Sequence, residues 1–124
     1  MQLHHINIKG PKAMLAEEKS FFCNVLGLKE GPRPKLVTSG YWLYAGNHAL
    51  IHLNESDEHY SNDKQGYFDH AAFQTKGLPL FIKKLDELSL DRKVIFREES
   101  DTTQVFIKAP SGIKIEVNFK HERP

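Results

Sequence analysis

His5, His52, His70 and Glu116 are the side chains in this 124-residue chain whose types and spacing suit a divalent metal. They fall into two pairs. His5 lies in LHHINI and His70 in FDHAAF, two stretches that align on each other; His52 lies in AGNHALIHLN and Glu116 in APSGIKIEVN, which also align. His5 and His52 are 47 positions apart, His70 and Glu116 are 46. A lone strand histidine is ordinarily structural, but four groups in symmetric places are harder to explain that way. Glu116 stands between Ile115 and Val117, and burying a carboxylate there without a partner costs several kcal/mol. A cation held by all four groups removes that penalty. Imidazole and carboxylate suit zinc, nickel, cobalt, iron or manganese and do not choose among them.

The elements that carry these residues follow from periodicity. Residues 3–9 alternate as a strand, with Leu3, Ile6 and Ile8 apolar and His5, Asn7 and Lys9 on the other face. After Gly10-Pro11, residues 13–26 have helical apolar spacing, and Gly27 is placed to end that helix. Residues 28–37, with Gly31, Pro32 and Pro34, suggest an irregular edge strand and loop. Strands over 41–45 and 49–53 are joined by Gly46-Asn47, a hairpin signal. Residues 55–66 are polar and aperiodic, a linker between module one (about 1–54) and module two (about 67–120). A strand over 68–74, a helix over 78–88 and strands over 93–98, 103–109 and 113–119 repeat the order.

Each module therefore reads strand, helix, strand, strand, strand. One helix covers one face of a small sheet, so pairing two modules is needed to enclose the other. The expected fold is α+β, with paired βαβββ modules forming a cupped mixed sheet in one domain spanning 1–124. Ile8, Ile51, Leu53, Ile115 and Val117 belong on the helix side. The opposite face collects the four metal ligands with Trp42, Tyr44, Gln104, Phe106, Lys108 and Lys114. Of these, Trp42, Gln104 and Lys108, together with Arg33, are the candidate substrate contacts. Lys9, Arg33, Lys35, Lys108 and Lys114 would bias such a site toward anions.

Composition is ordinary for a globular domain, 40% hydrophobic and 27% charged. A net charge of +1 gives no reason to expect a nucleic-acid partner. No apolar run has membrane-spanning length, and the first residues lack a signal-peptide pattern, so no membrane association and a cytoplasmic location are expected. The single cysteine, Cys23, lies in the first helical pattern and is expected in the core. His4 is expected to pack at a strand end, and His48, His59 and His121 to be solvated, as is the strand end at Arg97.

The ordered set LHHINI, FFCNVLGL, GPRP, GYWLYAG, IHL, FDHAAF and QVFIKAPSGIKIEV resembles the vicinal oxygen chelate superfamily over nearly the whole chain. That superfamily includes glyoxalase I, bleomycin-resistance proteins and extradiol dioxygenases. The resemblance implies the glyoxalase / bleomycin resistance / dioxygenase fold, one divalent metal per site, a small-molecule substrate chelated through adjacent oxygens, and a homodimer. It places His5, His52, His70 and Glu116 where glyoxalase-I-like proteins hold their metal. It implies a lyase or isomerase, with Glu116 as the proton-moving group. His52 replaces the glutamate common in glyoxalase I, and Ala109 replaces the aspartate common in the last hairpin. Alternatives are a thiol transferase opening epoxides as fosfomycin-resistance proteins do, an extradiol-type dioxygenase, and a drug-binding protein without catalysis.

Overall fold

The computed structural model describes residues 1–57, 68 and 70–124; most of the expected linker, with His59 and Asp69, lies outside them. The chain divides into two compact units, Met1–Asp63 and Lys64–Pro124. The first holds β1 (Ile6–Gly10), α1 (Lys12–Leu26), β2 (Lys29–Gly31), β3 (Gly40–Ala45) and β4 (His48–Glu55). The second holds β5 (His70–Thr75), α2 (Leu78–Glu87), β6 (Lys93–Arg97), β7 (Thr102–Lys108) and β8 (Lys114–Lys120). Strand order is β1-β4-β3-β2 in one sheet and β5-β8-β7-β6 in the other, the same topology twice. In each sheet the opening and closing strands pair in parallel and the remaining pairs are antiparallel.

In the first unit α1 packs on its own sheet. Leu15, Phe21, Phe22 and Val25 of the helix are buried with Ile8, Leu43, Ile51 and Leu53 of the strands. Each such side chain contributes roughly 1.5–3 kcal/mol on burial. Gly27 ends α1 at φ 73°, its N–H bonding to the Phe22 carbonyl, which a residue with a Cβ would do under strain. In the second unit Phe81 of α2 meets the Phe119 ring of β8 at 5.2 Å, with Leu78, Leu85, Val105, Ile115 and Val117 buried. The N-terminus of α2 is capped from a distance: Glu122 accepts from the N–H groups of Gly77 (2.9 Å) and Leu78 (2.7 Å).

Several expectations need correction. β1 begins at Ile6, because its ladder with β4 opens at Ile6↔Ile51; Leu3 is left 71% exposed. β4 runs on through Asn54 and Glu55, whose partners are Lys9 and Gly10 of β1. Tyr44 stays on the face of Trp42, because the register shift at Leu43/Tyr44 passes over Leu50 of β4 and leaves β3 regular. Its ring lies over Gly31, and its hydroxyl donates to the Pro32 carbonyl. Cys23 is half-buried rather than fully in the core.

Candidate metal centre

In module one the register pairs Trp42 with His52 across β3–β4, and Asn7 with His52 across β1–β4. Alternation then brings His5, two residues before Asn7, to the same face. The three rings form a stack: His5 on His52 with centroids 3.9 Å apart, His52 on Trp42 at 4.0 Å. His52 is 7% exposed, and its Nε2 lies 3.1 Å from the Ala49 carbonyl. If that nitrogen donates to the carbonyl, Nδ1 is left with the lone pair a metal needs. Burial chiefly, then the charge of His5, holds the His52 pKa below its ordinary 6.5, and the Ala49 carbonyl opposes this.

In module two the same construction recurs. Ala72 and Phe106 flank Glu116 in register, and His70 stands two residues before Ala72. His70 Nε2 approaches Glu116 Oε2 at 2.7 Å, and the Phe106 ring sits edge-on to His70 at 5.9 Å. Glu116 is 5% exposed. Its other oxygen accepts from Gln104 Nε2 at 2.6 Å, and Gln104 Oε1 accepts from Arg97 Nε at 2.9 Å. A chain of directed hydrogen bonds thus runs Arg97, Gln104, Glu116 and fixes the carboxylate plane.

The two modules therefore place a histidine and a second candidate ligand at equivalent register positions, each backed by an aromatic ring: Trp42 in one, Phe106 in the other. The donors fit a first-row divalent cation by type. In addition, His52 Nε2 meets the Ala49 carbonyl and Glu116 Oε1 the Gln104 amide, contacts of the kind that orient ligating groups. Among the described residues no three His, Cys, Asp or Glu side chains gather into a cage; each module offers a pair.

The expected substrate contacts fare differently. Trp42 stacks on His52, and its indole nitrogen is buried without a hydrogen-bond partner among the described residues. Gln104 is engaged by Glu116 and Arg97, and so orients the carboxylate. Arg33 Nη2 is committed to the Thr38 carbonyl and to Asn54 Oδ1, both at 2.9 Å, pinning the loop after β2 onto β4. Lys108 lines an open cavity in module two together with Lys114, whereas Lys9 lines a separate cavity of module one with Glu55 and Asp57. Lys35 is exposed.

Arg97 is not merely a solvated strand end: the β6–β7 register sets Ile95 opposite Gln104, and Arg97, on the same face, donates to the Gln104 side chain. His4 and His48 also prove to be engaged. Their rings meet at 4.9 Å, His4 Nδ1 lies 2.9 Å from His5 Nδ1, and His48 contacts the His4 carbonyl. His121 pairs with Asp101 at 3.0 Å.

No protein-family model matches the chain, and no curated protein matches it. Solved structures do. A putative glyoxalase family protein from Bacillus anthracis superposes with a TM-score of 0.76 at 21% identity, covering 97% of this chain and 95% of that one. The fosfomycin resistance protein FosX from Listeria monocytogenes, in a mutant complexed with Mn(II) and 1S,2S-dihydroxypropylphosphonic acid, gives 0.73 at 16% identity, covering 96% and 92%. Lactoylglutathione lyase from Agrobacterium tumefaciens gives 0.68 at 15%, covering 95% and 92%. The chain has the two-module βαβββ fold of the vicinal oxygen chelate superfamily, to which these glyoxalase and fosfomycin-resistance proteins belong.

Proposed function

We propose that this protein is a divalent-metal-dependent enzyme of the glyoxalase type, a lyase or isomerase acting on a small molecule bound through two adjacent oxygens. The observation that carries the reading is the His70–Glu116 pair, 2.7 Å apart and braced by Gln104, together with its counterpart His5–His52 at equivalent register positions. His5, His52, His70 and Glu116 would hold the metal, with its identity among zinc, nickel, cobalt, iron and manganese left to loading experiments. A bound metal acts as a Lewis acid that stabilises negative charge developing on a substrate oxygen.

The chain's own residues supply the rest. Glu116 is the one carboxylate of the four and takes and returns the proton. Gln104, held by Arg97, occupies Glu116 Oε1, so that Oε2, beside His70 Nε2, is the oxygen left to carry the proton. Trp42 and Phe106 give each ligand pair an aromatic wall. Because each module offers only two ligands, the reading requires modules to come together, within one chain or between two copies. We expect a homodimer in solution.

A second reading, epoxide opening by an added thiol, is favoured by the single carboxylate among the four groups and by the fold likeness to FosX, whose structure holds Mn(II). The deciding experiment strips the protein of metal and reloads it separately with zinc, nickel and manganese. Each form is then assayed against the thiol adduct of a 2-oxoaldehyde and against an epoxide with thiol. Metal-dependent turnover lost in Glu116→Gln supports an enzyme, and the substrate used chooses between the two readings. Unchanged small-molecule binding with and without metal, and no turnover, would assign the protein to the sequestering class.

A further inference from the structure

We infer that module two carries a site for an organic anion, in which Lys93 and Lys108 receive a compact oxyanion head group while Phe106 supports an apolar stem next to the His70–Glu116 pair. The inference rests on the metal-site reading for which end of the molecule reacts, and it names the substrate class. A cavity of about 750 Å³ opens on this module, walled by the turn after α2 and by β6, β7 and β8. Strand register sets its charge. Lys93 faces Phe106 across β6–β7, and Lys108 faces Lys114 across β7–β8, so three ammonium groups on three adjacent strands share one face. With Arg92, four cations line the cavity against one carboxylate, Asp91.

Arg92 is already neutralised by Asp86 at 2.6 Å. Lys114 is engaged as well, whereas Lys93 and Lys108 form no ion pair among the described residues. Like charges side by side on a sheet destabilise it, and such a cluster becomes favourable once an anion sits among its members. Ile95 and Phe106, with Leu90 and Ile107, provide the apolar part of the lining. Phe106 is also the register partner of Glu116 and touches His70, so a molecule with its head among the lysines and its stem on Phe106 reaches the ligand pair.

The test uses metal-free protein and phenylphosphonate as the probe, with benzamide as its neutral counterpart, followed by backbone amide shifts in nuclear magnetic resonance. Saturable shifts at Ile95, Phe106 and their neighbours are expected for phenylphosphonate, with benzamide at least about tenfold weaker. In the double variant Lys93→Met with Lys108→Met, the phenylphosphonate Kd should rise about tenfold or more, whereas Lys76→Met, an exposed lysine before α2, should leave it unchanged. Both lysines are exposed, so the fold should survive, and amide dispersion checks this. Equal affinity in the double variant, or equal affinity for benzamide, overturns the proposal. Metal content of the double variant reports separately on the metal reading and should match wild type.

Discussion

Replacing Gln104 by leucine keeps the side chain's approximate bulk and removes both of its hydrogen bonds. The amide donates to Glu116 Oε1 at 2.6 Å, and Glu116 is only 5% exposed, so water does not readily take over the vacated position. A hydrogen bond to a charged group is worth about 1.5–3 kcal/mol. Arg97 loses its acceptor as well, but it is exposed and rehydrates at little cost. A net loss of about 2 kcal/mol is expected, or roughly 6–12 °C in Tm for a chain of this length. Metal affinity should fall as well, by about 10- to 100-fold, the usual consequence of removing a group that orients a ligand. Thermal unfolding of the metal-free protein by circular dichroism reads the first effect, and competition with a chromophoric chelator reads the second. Gln74→Leu is the control, since Gln74 is exposed and on the same face of the sheet; it should change stability by no more than about 0.5 kcal/mol. A Gln104→Leu protein that melts within a degree of wild type and holds metal as tightly would refute the orienting role.

Three further outcomes are expected. A Cβ at Gly40 would lie 1.9 Å from the Leu53 carbonyl oxygen, so Gly40→Ala must push β3 off β4, with a loss of about 1–3 kcal/mol or more in denaturant unfolding. Glu122→Ala uncaps α2, and about 1–2 kcal/mol should disappear from the unfolding free energy, while the isosteric Glu122→Gln keeps part of it. Because the His52 pKa is depressed in the folded protein, the unfolded chain binds more protons below pH 6.5. The stability of the metal-free protein should therefore be constant with respect to this group above pH 6.5 and fall as pH drops below it. His52→Asn should flatten that slope, and an unchanged slope would mean that His52 is not the group responsible.

The repeat was legible because each strand announces its faces by alternation and each module ends on a hairpin with a glycine. His5, His52, His70 and Glu116 could be singled out for the same reason: a ligand's position relative to its strand's apolar residues is a local property. What was missed depends on register between strands distant in sequence. Arg97 and Gln104 meet only because β6 and β7 pair with Ile95 opposite Gln104. Glu122 reaches α2 from 45 positions away, which no local pattern signals. Lys93 joins Lys108 on one face only once its pairing with Phe106 is known. The extra residue Leu50 in β4 is also a matter of register, visible only against its partner strand β3. The charge of Arg33 is visible in the sequence, but the bond of its guanidinium to Asn54, 21 positions away, is not.

The central claim is one divalent metal held jointly by histidines from both modules and by Glu116. Its most direct test is the metal content, by plasma mass spectrometry, of wild-type protein and Glu116→Gln purified side by side without a histidine tag. About one first-row metal per chain in the wild type, with clear loss in the variant, is the predicted result. No metal in either protein, even after incubation with zinc, nickel or manganese, would contradict the claim.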